Sequence, residues 1–202
     1  PDHISAAELT DAIQRHVITP VMAGEAVRPD AATIFNINPT GAYAGGPLNH
    51  SGLTGRKSAT DTYGEYARRS GKALSGKDPL RIDRSGAYAA RHAAKNIVAA
   101  GLASECEVML NYIKGASRPV SITAQTFGTG RVSDERITRL LKECFDFRPA
   151  AILKRFALRR LPALSPGGFY QQLAAYGHFG RSDIDLPWEQ TDLAQPLAAA
   201  VA

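Results

Sequence analysis

The alternation of apolar and polar positions divides the chain into segments of different period. Leu9, Ile13 and Val17 recur at i, i+4 and i+8 behind Ser5-Ala-Ala-Glu8. In that arrangement a Ser hydroxyl and a Glu carboxylate three residues on satisfy each other's free backbone N–H groups. The pattern predicts a helix over residues 5–21 with one buried stripe. Residues 32–37 (ATIFNI) favour a short strand, and Asn38-Pro39-Thr40-Gly41 supplies the Asx, Pro and Gly chemistry that ends it in a turn. Residues 83–100 contain Gly86 but no other glycine and no proline. There Tyr88, His92, Val98 and many alanines alternate with Arg84, Arg91 and Lys95, which predicts the longest helix.

Residues 107–113 and 119–127 are rich in β-formers and flank Lys114-Gly115-Ala116-Ser117, the pattern of an antiparallel hairpin. Ser133 followed by Asp134 and Glu135 then offers a helix start, with Ile137, Leu140, Leu141 and Cys144 as its apolar stripe. Residues 161–168 read as a Pro/Gly loop, 170–176 as a short helix, and 193–202 as a weakly specified alanine-rich tail. Hairpin pairing mixed with helices predicts an α+β fold, with a mixed or antiparallel sheet packed by helices.

Composition narrows the function. The chain has 202 residues, 44% hydrophobic and 21% charged, enough for a substantial core rather than a disordered tail. Lys and Arg number 24 against 19 Asp and Glu, and the resulting +5 is too small and too mixed in sign for a dedicated nucleic-acid arm. The excess is local. Residues 56–95 hold ten Lys or Arg and four acids, a net +6, which leaves −1 for the rest. This stretch follows a loop containing Gly41, Gly45, Gly46, Gly52 and Gly55. Backbone N–H groups, Arg forks and Lys ammonium groups so gathered suit the phosphates of a polyanionic small molecule, the plainer alternative being a solvated basic face.

Cys106 and Cys144 lack CxxC or Cys/His metal spacing and read as structural thiols of a reducing compartment. No apolar run reaches the ~18 residues that a membrane span needs, and residues 1–25 lack a secretory signal pattern, so a soluble cytoplasmic protein without membrane contact is expected. The opening at Pro1 suggests that the natural N-terminus lies elsewhere. Gly71-Lys-Ala-Leu-Ser-Gly-Lys77-Asp78 matches the start of a P-loop but carries Asp where Ser or Thr should hold magnesium, and Pro79 follows at once, so it is set aside. His3, His16 and His92 show no ligand spacing.

A longer set of motifs stands in order: Asn38-Pro-Thr-Gly41, Gly45-Gly-Pro47, Gly52-Leu-Thr-Gly-Arg-Lys57, Asp61-Thr-Tyr-Gly64, Ser75-Gly-Lys-Asp-Pro79, Asp83-Arg-Ser85, Ala94-Lys-Asn-Ile-Val-Ala-Ala-Gly101 and Ala175-Tyr-Gly-His-Phe-Gly-Arg181. Over residues 33–192 the chain resembles the end of the central domain and the C-terminal domain of the methionine adenosyltransferase (S-adenosylmethionine synthetase) family. About half of a family enzyme is absent, including its catalytic histidine and further magnesium-binding carboxylates. The resemblance implies S-adenosylmethionine synthetase-like repeat domains, with residues 1–44 ending the central domain, 45–185 forming the C-terminal domain and 186–202 a tail.

It also implies formation of S-adenosylmethionine from ATP and L-methionine with release of phosphate and pyrophosphate, dependence on Mg2+ and K+, and a homodimer or homotetramer with active sites between subunits. This chain alone would then be inactive. By the same resemblance Arg56, Lys57 and Lys77 contact the polyphosphate and carry catalysis, Ser75 and Arg81 join the ATP site, and Asp83 binds magnesium. Tyr43 stands near an adenine-stacking phenylalanine. Arg81 replaces a family lysine, exchanging a point charge for a fork.

Two departures stand out. His50 occupies the position of an aspartate that holds the amino group of methionine, and Glu65 replaces a glycine. Both are assigned to methionine binding, with Glu65 as a relocated carboxylate; alternatively Glu65 is a solvent-facing acid balancing Arg68 or Arg69. Other readings also stay open: Lys77-Asp78-Pro79 as a simple turn, Asp83 as the N-cap of its helix, and His178 as a buried structural histidine near Tyr176 and Phe179, outside the catalytic set. The competing function is a non-catalytic ATP-binding or assembly module derived from the family.

Overall fold

The structure is a computed structural model and describes residues 4–39, 41, 63, 66–68, 73–165 and 167–201. The glycine-rich stretch after Gly41, with Tyr43, His50, Arg56, Lys57 and Glu65, lies outside the described residues. The chain divides into two compact units, Pro1–Gly52 and Leu53–Ala202.

In the first unit Ser5 and Glu8 form the expected capping box: Ser5 N–H donates to Glu8 Oε2 at 2.8 Å and Glu8 N–H to Ser5 Oγ at 3.2 Å. Helix α1 (Ala6–Ile13) runs through a π-helical turn (Gln14–Ile18) into α2 (Thr19–Met22). Pro20 explains the wide turn. It has no N–H and its ring collides with the carbonyl four residues back, and just before it Thr19 N–H reaches Gln14 O, five residues back. The stripe is not buried as expected: Leu9 and Ile13 are half-buried and Val17 is 50% exposed. Periodicity fixes which side chains share a face, but not what covers that face.

The strand expected over 32–37 does not form. Asp30 makes a turn instead, accepting from Ala32 N–H at 3.0 Å and Thr33 N–H at 3.1 Å, and residues 33–36 follow without regular structure. A strand is defined by a ladder partner, which β-propensity cannot supply. The turn that follows does form. Gly41 N–H bonds Asn38 O at 2.9 Å, with positive φ at both Asn38 and Gly41.

The second unit is built on α3 (Ile82–Ala99). Strands β1 (Glu107–Asn111) and β2 (Ser121–Gln125) pair antiparallel in the register Glu107↔Gln125 to Asn111↔Ser121. The ladder is shorter than the β-rich runs because Ile113 and Ala116 close a turn at one end and Phe127 takes φ 53° at the other. Helix α4 (Asp134–Cys144) starts where predicted, with Ser133 Oγ accepting from Arg136 N–H at 3.3 Å. It buries Ile137, Leu140 and Leu141, and Thr138 Oγ1 accepts from Ala124 N–H of β2 at 3.0 Å; Cys144 is only half-buried.

Among the described residues four short α-helices, α5 (Pro149–Arg155), α6 (Leu161–Leu164), α7 (Phe169–Gln172) and α8 (Ala194–Ala199), and a 3-10 turn (Pro187–Glu189) complete the unit. Two of them correct the sequence reading. The expected 161–168 loop begins with the α6 turn, because proline is tolerated in a first helical turn and Leu161 is buried. The alanine-rich tail is also specified, since Leu197 is fully buried, Leu193 N–H donates to Asn96 Oδ1 at 2.8 Å, and Arg136 donates to Ala200 O at 2.9 Å.

Helices and an antiparallel sheet give the predicted α+β class. In the core, Trp188 lies face to face with Tyr88 at 3.6 Å between ring centres, and Phe156 and Phe169 meet Trp188 edge-on. Among the described residues no helix is long and apolar enough to cross a membrane.

Candidate functional site

The segment leading into α3 is two consecutive turns pinned to the core by Leu74, which is fully buried. In the first, Lys77 N–H reaches Leu74 O at 3.3 Å while Gly76 takes φ 80°, a conformation that glycine adopts without strain. In the second, Arg81 N–H reaches Asp78 O at 2.9 Å, Pro79 supplies the fixed φ, and Asp78 Oδ1 accepts from Leu80 N–H at 2.8 Å. Lys77-Asp78-Pro79 is therefore a turn. That does not exclude a site, because the turn presents the Lys77 ammonium 3.3 Å from Asp83 Oδ2.

Asp83 is not the N-cap. Arg81 holds that place without a side-chain cap bond, and Asp83 sits in the first turn of α3, where its carboxylate faces the positive end of the helix dipole. Its side chain is 52% exposed and that of Lys77 23%, so both groups are reachable from solvent. The separation of Lys77 from α3 by Pro79 also excludes a P-loop, in which the helix begins at the GK motif.

Beneath this pair lies a buried polar chain. Ser75 Oγ is 2.9 Å from His178 Nε2, and the other ring nitrogen, Nδ1, is 2.7 Å from the Tyr88 hydroxyl. Arg84 Nε donates to that hydroxyl at 2.9 Å, and Arg84 Nη1 donates to the carbonyl of Lys77. The Arg84 guanidinium also lies 4.7 Å from the ring centre of Tyr170, whose phenol burial pushes up to about 12. Arg84 Nη2 is buried and has no hydrogen-bond partner among the described residues.

His178 is buried, as one reading of the sequence had it, but its surroundings differ. Tyr176 is 93% exposed, and the neighbours are Tyr88, Ser75 and Trp188, whose indole N–H donates to His178 O at 2.8 Å. The segment around His178 is tied down by Glu189, which accepts from Gly180 N–H at 3.0 Å, Arg91 Nε and Nη2 at 2.8 Å and Lys95 Nζ at 2.7 Å.

Of the residues singled out from the sequence, Ser75, Lys77, Arg81 and Asp83 come together on one short segment. Arg84 and Tyr88 were missed. The signal was available: Arg84, Tyr88, His92 and Asn96 are polar at every fourth position of a buried helix face, and each finds a polar partner. His92 Nε2 lies 2.8 Å from Asp192 Oδ1, and burial holds the ring below its usual range. Both cysteines are free, and burial, with Asp134 and Glu107 adding to it, pushes the Cys106 thiol up to about 12.

The donor set bears on a metal. Among the described residues no three His, Cys, Asp or Glu side chains cluster as a cage. Magnesium is commonly held by one or two carboxylates together with substrate phosphates and water, and a lone exposed carboxylate beside a lysine fits that mode of binding.

This geometry falls within a recognised domain: residues 44–190 match the family model of the S-adenosylmethionine synthetase C-terminal domain. The chain belongs to the S-adenosylmethionine synthetase family. It is 60% identical over 190 residues to the S-adenosylmethionine synthase of Gloeobacter violaceus, covering 94% of this chain and 45% of that protein. To the synthase of Acaryochloris marina it is 52% identical over 197 residues, covering 97% and 47%. A solved S-adenosylmethionine synthetase from Campylobacter jejuni, described as unusual, superposes with a TM-score of 0.66 at 34% identity, covering 98% of this chain and 50% of that one. The chain thus spans about half the length of the relatives it matches.

Proposed function

We propose that this chain is the C-terminal half of a methionine adenosyltransferase that makes S-adenosylmethionine from ATP and L-methionine and releases phosphate and pyrophosphate. The observation that carries the reading is the Lys77–Asp83 pair on a core-anchored turn of a family member. A thioether is already a competent nucleophile, so the reaction requires no base at sulfur. The sulfur lone pair attacks C5′ of ATP, the C5′–O bond breaks, and its electron pair leaves with the triphosphate, which water then hydrolyses to phosphate and pyrophosphate. The barrier falls when reactants are held in line and when fixed cations meet the charge building on the leaving group.

Lys77 is the described cation suited to that task, with Arg81 as an exposed neighbour. Asp83 pairs with Lys77 and is the carboxylate that would hold magnesium. That ion, when bound, supplies charge neutralisation on the phosphates. In the same reading Arg56, Lys57 and Ser75 complete the polyphosphate site, Tyr43 stacks on adenine, and His50 with Glu65 serves the ammonium group of methionine.

Potassium dependence, a homodimer or homotetramer and a cytoplasmic setting belong to the same proposal, as does a domain order in which residues 1–44 close the central domain and 45–185 form the C-terminal one.

The test is complementation. The chain is combined with the N-terminal half of the Gloeobacter relative and given ATP, methionine, Mg2+ and K+. S-Adenosylmethionine formation with one phosphate and one pyrophosphate per turnover is the expected result, and neither half alone should turn over. ATP binding without turnover in the reconstituted pair would overturn the reading in favour of a binding or assembly module.

A further inference from the structure

Ser75 and Lys77 are two residues apart, yet they are joined a second time by a long route through the core. From Ser75 Oγ the chain of hydrogen bonds runs to His178 Nε2, from His178 Nδ1 to the Tyr88 hydroxyl, from there to Arg84 Nε, and from Arg84 Nη1 back to the carbonyl of Lys77. With the backbone of residues 75–77 this closes a ring around Gly76. The far side of the ring is rigid: Tyr88 stacks on Trp188 with 6° between planes, and the Trp188 indole N–H holds the His178 carbonyl. Glycine at position 76 gives the turn its left-handed conformation but no side chain to fix it, so the ring takes over that task.

Arg84 can only donate, so the Tyr88 oxygen accepts from its Nε. Both hydroxyls of the ring, Ser75 and Tyr88, are able to donate or accept, and the His178 tautomer sets which way each bond runs. Both ring nitrogens of His178 are engaged in either case.

We infer that His178 is a positioning residue for Lys77: through Ser75 on one side and Tyr88–Arg84 on the other it fixes the 75–77 turn so that the ammonium group projects from a set point toward a bound polyphosphate. This rests on the proposed function, which makes Lys77 the polyphosphate contact. It assigns His178 an effect on the site without contact with substrate, and it extends the site to Tyr88 and Arg84. The buried Arg84 guanidinium adds to the argument: it forms no ion pair with a carboxylate among the described residues, so its charge remains beneath Lys77 and favours an anion above.

A double-mutant cycle with inorganic tripolyphosphate as the probe, in the complete two-half enzyme, tests the inference. Lys77→Ala should weaken tripolyphosphate binding, and His178→Gln should weaken it about tenfold while the KM for methionine stays within about twofold. In the Lys77→Ala background His178→Gln should cost less than about twofold, because its effect runs through the missing ammonium.

Equal losses in both backgrounds would mean that His178 acts only on general stability, and would overturn the inference alone. Unchanged tripolyphosphate affinity in Lys77→Ala would overturn the functional reading and the positioning role with it. Folding is monitored by the near-UV signal of Trp188. Should His178→Gln not fold, Tyr88→Phe, which removes one hydroxyl of the ring at a residue that touches no substrate, runs the same cycle with the same expected coupling.

Discussion

Glu189→Gln exchanges one oxygen for an amide at the centre of the cluster that holds the His178 segment. The carboxylate side chain is 8% exposed and accepts four hydrogen bonds, three of them from cations. A glutamine oxygen at the Oε1 site still serves Gly180 N–H and Arg91 Nε. Its NH2 group, however, would face Arg91 Nη2 and Lys95 Nζ, a donor against two donors. Two charge-assisted bonds are lost, each worth about 1.5–3 kcal/mol. The side chains of Arg91 and Lys95 are 16% and 34% exposed, so water recovers part of that loss. The expected destabilisation is about 3 kcal/mol, or a Tm lower by about 6–12 °C for a protein of this size.

The pH dependence gives a second check. Burial raises the pKa of Glu189, but the hydrogen bonds from Arg91, Lys95 and Gly180 outweigh it and hold the carboxyl below its ordinary 4.5. A carboxyl lowered in the folded state contributes stability that is present above its unfolded pKa and lost as pH falls through the folded one. The gap between wild type and Glu189→Gln should therefore be full at neutral pH and close on acidification below 4.5. Urea titrations at a series of pH values measure it, with an unchanged m-value as the control. A difference under ~0.5 kcal/mol at neutral pH, or one that persists unchanged through acid, would refute the role assigned to the cluster.

Lys77→Ala in the complete enzyme should lower turnover at least ~100-fold with little change in methionine affinity, and a loss under about threefold would remove Lys77 from the leaving triphosphate. Gly130→Ala should destabilise the fold by about 1–3 kcal/mol in urea titration, because the added Cβ would sit 2.6 Å from Val132 O and 2.8 Å from Thr126 Oγ1, which is held by its bond to Asp134. Cys106, with its thiol pushed up to about 12, should resist iodoacetamide in the native protein at mildly alkaline pH and react once unfolded, as peptide mass spectrometry can show; rapid native labelling would contradict its burial.

What the sequence determined by itself was local. The capping box of Ser5 and Glu8, the Ser133 start of α4, the hairpin turn and the long α3 each depend on residues within a few positions of one another, and each formed. The ordered motifs likewise identified the family, because they were read as a series along the chain.

Tertiary structure decided whatever needed a distant partner. Residues 32–37 had strand propensity but no ladder, and Leu9, Ile13 and Val17 shared a face without burial. The tail became ordered where Leu197 entered the core and Asn96 took the backbone of Leu193. The ring around Gly76 is the extreme case: Ser75 and His178 are 103 positions apart, and no spacing rule links them. Hydrogen bonds and burial depend on position in three dimensions, and a one-dimensional pattern encodes that position only where the chain is its own near neighbour.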